Sequence, residues 1–128
     1  MRALAGLLFV AFLANDTHGL EYELELFADV NPTGNSSPLD FTPASDGLYF
    51  IAEGPEGREV YRTDGVDGSD LTLFNVNPST HSDPSLLTPY RDTVFFRATG
   101  NNGREAFKIE NDILTDFNIH LFLSLIHI

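Results

Sequence analysis

The chain contains no cysteine and no tryptophan, and only seven of its 128 residues are lysine or arginine. Without cysteine there is no disulfide, no thiolate metal site and no cysteine nucleophile, and compartment stays open because many exported bacterial proteins lack disulfides. The shortage of cations against 19 acidic side chains leaves a formal charge of -12. That balance argues against nucleic acid as a partner, since phosphate contacts need clustered Lys and Arg. No apolar stretch is long enough to span a bilayer as a helix. A glycine-rich phosphate loop and a Gly-x-Ser-x-Gly nucleophile context are both missing.

What is present is an internal repeat. Val30-Asn31-Pro32 and Val76-Asn77-Pro78 stand 46 residues apart. Ser36/Ser82, Pro38/Pro84, Thr42/Thr88, Pro43/Pro89, Asp46/Asp92, Phe50/Phe96, Ala52/Ala98, Gly54/Gly100, Gly57/Gly103, Arg58/Arg104 and Glu59/Glu105 recur at the same spacing without a gap. A period of this length belongs to architectures in which each unit is one supersecondary element that buries its apolar face against a neighbour. The units are residues 30–75 and 76–112, the second incomplete, preceded by a partial repeat over 19–30. Such arrays use three or more units, so the chain reads as a fragment of a longer array.

Each unit reads as four antiparallel strands. Asn31-Pro32-Thr33-Gly34-Asn35-Ser36-Ser37-Pro38 is a loop by its turn-forming content. Leu39-Asp40-Phe41-Thr42-Pro43 is a short extended piece at an edge, and Leu48-Tyr49-Phe50-Ile51-Ala52 is the strongest strand. Glu53-Gly54-Pro55-Glu56-Gly57 turns the chain into Arg58 to Thr63, and Leu71 to Val76 closes the unit. Leu48, Phe50 and Ala52 meet Val94, Phe96 and Ala98 in the second copy, whereas Ile51 meets Arg97. The first set is therefore expected in the core and the second on a wetter side. The fold class that follows is all-β, with four-stranded antiparallel repeats of 46 residues as incomplete β-propeller blades. An open β-sandwich or a solenoid of the same hairpins is the structural competitor.

The two ends depart from the repeat. Residues 1–14 have the charged start and apolar stretch of a secretory signal, yet Gly6-Leu7-Leu8-Phe9-Val10-Ala11 also matches the make-up of Gly47 to Ala52 as a strand of a partial repeat. Both readings stand at this point. Residues 113–128 are expected to supply neither a strand nor a third Asn-Pro turn, and read as an atypical, non-native tail. His120 and His127 within it receive no chemical role.

Arg58-Glu59-Val60-Tyr61-Arg62-Thr63-Asp64-Gly65 resembles the signature of the ELWxxDGT repeat proteins, a family of bacterial exported or surface proteins that look like β-propellers. Glu59 matches the glutamate, Val60 the leucine, Tyr61 the tryptophan and Asp64-Gly65 the Asp-Gly pair, while Val66 replaces the threonine. The second copy keeps Glu105 and an aromatic at Phe107 but replaces Asp-Gly by Glu110-Asn111, so its turn should differ. Asn31-Pro32 and Asn77-Pro78 match the family's Asn-Pro element. The resemblance implies architecture and a secreted or cell-surface location, and carries no catalytic residue onto this chain.

The recurring polar residues are read as structural. Glu59 and Glu105 recur once per unit, whereas paired carboxylates for glycoside hydrolysis must share one groove, so Arg58-Glu59 and Arg104-Glu105 are expected to anchor turns or make cross-strand pairs. Asn31-Pro32 and Asn77-Pro78 are turn caps. Asp64, Asp67 and Asp70 with Gly65 and Gly68 form an oxygen-rich loop, which leaves calcium as the one cofactor to consider, but the spacing is not that of a calcium loop with a distal glutamate. His18 and His81 occupy different repeat positions and read as surface or turn residues. The expected function is a non-enzymatic structural or weakly binding module whose partner is an unidentified protein or glycan. Tyr49, Phe95 and the proline-rich loops are the contact candidates. The alternative is a fragment of an extracellular carbohydrate-active or other propeller enzyme.

Overall fold

The structure is a computed structural model that describes residues 7–15 and 19–117, with side chains over 24–117. Strands β1 (Leu7–Asn15) and β2 (Gly19–Ala28) form an antiparallel pair with Asn15 opposite Gly19. Strands β3 (Leu39–Ala44), β4 (Gly47–Gly54), β5 (Gly57–Thr63) and β6 (Thr72–Phe74) form a first four-stranded meander. Strands β7 (Ser85–Tyr90), β8 (Thr93–Gly100), β9 (Gly103–Glu110) and β10 (Ile113–Phe117) form a second with the same order. The all-β architecture of two four-stranded antiparallel sheets is thus the repeat made visible. The signal reading falls largely on residues whose side chains lie outside the described set. His18, His120 and His127 also lie outside the described residues.

The repeat holds down to single backbone angles. Positive φ occurs at Ser37 and Asp83, at Asp40 and Leu86, at Gly57 and Gly103, and at Gly65 and Asn111, each pair 46 residues apart. Asp40 and Leu86 fall in a register irregularity of β3 against β4 and of β7 against β8, the mark of a β-bulge at an edge strand. Asp and Asn tolerate the left-handed region because their short polar side chains bond locally, whereas leucine does so at a cost of about 1–2 kcal/mol. Leu86 is largely exposed, so little burial is at stake there. Replacing Leu86 with Gly should therefore raise stability by about 0.5–1 kcal/mol in a denaturant titration, and destabilisation would show that the leucine side chain holds the bulge.

Beyond Asp112 the structure departs from the sequence expectation, because Ile113–Phe117 is a strand paired to β9. Its cause is the turn. Asn111 and Asp112 both carry positive φ, the conformation of a two-residue hairpin whose twist matches the strands it joins. The first copy instead inserts residues 64–71 between β5 and β6. The same segment explains the long β2. Gly19-Leu20-Glu21 precedes Gly57-Arg58-Glu59 by 38 residues, not 46, and the missing eight equal the length of that connection. β2 runs straight through the point where the first copy makes its turn.

Each sheet has a front face, carrying Phe50, Ala52 and Tyr61 in the first and Phe96, Ala98 and Phe107 in the second. The Phe50–Tyr61 and Phe96–Phe107 rings stack at centroid separations of 5.7 and 5.8 Å. A Cβ on Gly54 would lie 2.1 Å from the Tyr61 hydroxyl and one on Gly100 2.9 Å from Phe107, so the recurring glycines make room for the recurring rings. The two sheets do not present these equivalent faces to each other. The main core joins Val94, Phe96, Ala98, Phe107 and Ile109 from the front of the second sheet to Tyr49, Ile51, Val60 and Phe74 from the back of the first. The first sheet's front packs separately with Val30, Phe27 and Leu71.

This head-to-tail stacking corrects two expectations. Ile51 was expected on a wetter side and is 0% exposed, because the second sheet covers that face. Arg97 does lie exposed, the back of its own sheet being uncovered among the described residues. Tyr49, proposed as a surface contact, is 1% exposed in the same core and its hydroxyl donates to Asp46 at 3.0 Å. Burial pushes its phenol up to about 12. Phe95 is half-buried.

Candidate functional site

The recurring polar residues gather where the β4–β5 hairpin meets the loop that enters the second sheet. Asn31 and Asn77 are buried at the heads of their loops. Each carbonyl accepts from the amide three residues on, Gly34 at 3.1 Å and Thr80 at 3.2 Å, with Pro32 and Pro78 as the second turn residues. The Asn31 amide donates to the Asn35 carbonyl at 2.9 Å, and the Asn77 carboxamide oxygen accepts from Ser79 at 3.2 Å. The loops then dock onto their sheets identically, Glu53 N–H to the Ser36 carbonyl at 2.7 Å and Thr99 N–H to the Ser82 carbonyl at 2.6 Å.

Glu59 is fully buried at this seam. Its Oε2 lies 2.5 Å from Ser82 Oγ and accepts from Val76 N–H at 3.2 Å, tying the first sheet to the loop of the second. Burial raises the Glu59 carboxyl above its ordinary 4.5, against the lowering effect of Ser82 and Val76. Ser82 Oγ also lies 3.0 Å from the Arg58 carbonyl, so its hydroxyl proton is shared between that carbonyl and Glu59. Glu105, at the equivalent position, is half-buried. Ser36, the equivalent of Ser82, is buried with an unpartnered Oγ. Sequence reasoning singled out Glu59 and missed Ser82 as its partner, although Ser36/Ser82 recurs at the spacing of Glu59/Glu105.

Outside the seam lies an open polar cleft of about 410 Å³, lined by residues 53–57 and 78–81. His81 Nδ1 accepts from Arg58 N–H at 3.2 Å, which places the neutral ring's proton on Nε2. The same nitrogen lies 3.5 Å from Glu53 Oε1, whose other oxygen pairs with Arg58 Nε at 3.5 Å. Gly57 is required here by its φ of +102° and by His81, 3.0 Å from where its Cβ would stand. The cleft collects polar groups but no nucleophile with its base.

The Asp-rich connection holds itself. Asp64 accepts from Val66 N–H at 2.8 Å, Asp67 from Ser69 N–H at 2.8 Å, and Asp70 from Thr63 Oγ1 at 2.8 Å and Asp64 N–H at 2.5 Å. Gly65 supplies the positive φ. Among the described residues no group of three ligand-type side chains converges on a metal position. The Ser69 hydroxyl and amide lower the Asp67 carboxyl, and the Asp64 amide chiefly lowers Asp70, below the ordinary 3.8. Carboxyls so lowered stabilise the fold above their unfolded value and lose that contribution as pH falls through the folded one. Acidification below 3.8 should therefore open residues 64–71 before the sheets, seen as early loss of amide protection at Asp64 and Ser69. Simultaneous loss throughout the sheet would contradict this.

Tyr61 and Phe107 belong to the front faces, and Glu59 with Asn77 and Pro78 to the seam and cleft. Asp64-Gly65 stands apart in its own turn. No family model matches the chain, and no curated protein or solved structure matches it.

Proposed function

We propose that the chain is a non-enzymatic repeat module of an exported or cell-surface bacterial protein, its sheets stacked as β-propeller blades and its loops available for weak binding of a protein or glycan. The observation that carries the reading is the packing of the front of one sheet on the back of the preceding one. A sandwich buries two facing inner surfaces and is then complete. Head-to-tail stacking uses different faces at each step, so it extends from unit to unit and closes into a ring when the rotation allows. The Glu59 to Ser82 bond fits this, because it ties the first unit to the second. The resemblance to ELWxxDGT repeats supports the same architecture and the exported location.

The cleft at the seam, with His81, Glu53 and Glu56 at its rim, is a loop surface open to binding. Incubating the folded chain with an immobilised glycan panel, with product analysis, tests the reading: it predicts retention without bond cleavage. Glycan turnover that disappears in a folded Glu59→Gln variant would overturn it and favour the enzyme.

A further inference from the structure

We propose that Arg97 and Arg104 form a binding site for an oxyanion, a carboxylate, phosphate or sulfate group carried by a ligand, on the back face of the second sheet. The two copies differ here in a directed way. In the first, Arg58 pairs with Glu53 across the β4–β5 ladder, and Ile51 lies beside them. In the second, the equivalent of Glu53 is Thr99 and the equivalent of Ile51 is Arg97. Arg104 has thus lost its carboxylate while a second guanidinium has been added.

The structure brings the two together. Arg97 Nε donates to Ser85 Oγ at 3.3 Å and Arg104 Nη2 to the same oxygen at 3.2 Å. Arg104 is aligned further by the Asp83 carbonyl at 3.1 Å and by Thr99 Oγ1 at 3.2 Å. Both side chains are exposed, and neither is ion-paired among the described residues. In a chain with 19 carboxylates and seven cations, two adjacent exposed guanidiniums stand without a carboxylate partner, which leaves their charge open to an anion. Their neutral partners, a hydroxyl shared between them and a backbone carbonyl, fix the forks without neutralising them. Planar donor forks held side by side suit the two or three oxygens of an oxyanion. The proposal does not rest on the propeller reading: it needs the back of the second sheet open to solvent, the face on which that reading would stack a following unit.

The test follows the arginine Nε–Hε resonances of the full chain by NMR during titration with sodium phosphate, sodium sulfate and sodium glucuronate, with sodium chloride at matched ionic strength. Saturable shifts confined to Arg97 and Arg104 are expected with at least one of the three and not with chloride. The tightest of the three identifies the class. Arg97→Ile and Thr99→Glu each install the first copy's residue, which this sheet geometry already accepts, and each should weaken binding at least tenfold with the amide spectrum otherwise preserved. Shifts shared equally with Arg58 and Arg62, an equal response to chloride, or undiminished affinity in both variants would overturn the site.

Discussion

Replacing Ile51 with Arg, the residue that stands at the same position of the second copy, is expected to unfold the chain, at a cost above about 4 kcal/mol. Ile51 is 0% exposed between the two sheets, among Tyr49, Val60, Phe74 and the front residues of the second sheet. A guanidinium there would lose its hydration beside a carboxylate, Glu53, that is already paired with Arg58, and buried charge is among the most damaging single changes a domain meets. Ordinary domains hold only about 5–15 kcal/mol in total. The reciprocal exchange, Arg97→Ile, should move stability by no more than about 0.5 kcal/mol, since Arg97 is exposed. Denaturant midpoints of the two variants measure this asymmetry. Comparable losses in both would mean that the two back faces are equally buried, and that the stacking direction described above is wrong.

Glu59 carries the second large effect. Glu59→Ala leaves the Val76 amide without its acceptor, takes from the Ser82 hydroxyl one of its two, and opens a cavity beside them. A loss of about 2–4 kcal/mol is expected. Glu59→Gln keeps a donor and an acceptor in place and resembles the neutral acid, so it should lie within about 1 kcal/mol of the parent in mild acid. The pH dependence separates the two roles. Because burial raises the folded carboxyl, the native state binds more protons than the unfolded one from 4.5 upward. The contribution of Glu59 is therefore complete below 4.5 and is lost as pH rises through its folded value. The Gln variant should lack that slope and become the more stable of the two at alkaline pH. A parent whose stability rises across this window relative to Glu59→Gln would contradict a carboxyl raised by burial.

Turn chemistry made much of this fold legible beforehand. The glycines, prolines and Asn-Pro pairs bracket β3 to β6 in the sequence almost where they begin and end, and Phe50, Ala52, Phe96 and Ala98 lie on the faces that their recurrence indicated. Ile51 was misread because a strand comparison assumes that both copies have the same surroundings, whereas the first sheet is covered on its back and the second is not. Strand β10 was missed because Asn111-Asp112 lacks the glycine that marks such a turn, although both residues adopt positive φ. At the seam, recurrence singled out Glu59 but could not pair it with Ser82, a contact between successive units that no strand register implies. The arginine cluster was visible only as a departure from the repeat, and needed Ser85 in space to join Arg97 to Arg104.

Head-to-tail stacking is the claim on which the rest depends, and a pair of double-mutant cycles tests it most directly. Ile51→Val combined with Phe96→Leu joins residues of one core, whereas Phe50→Leu combined with Phe96→Leu joins repeat-equivalent residues of two different cores. Residues sharing a core couple by about 0.5 kcal/mol or more, and separated ones add within about 0.3. Coupling in the first cycle and additivity in the second is the predicted result. Coupling between Phe50 and Phe96, with additivity for Ile51, would mean that the equivalent faces meet as in a sandwich, and would contradict the stacked-repeat account.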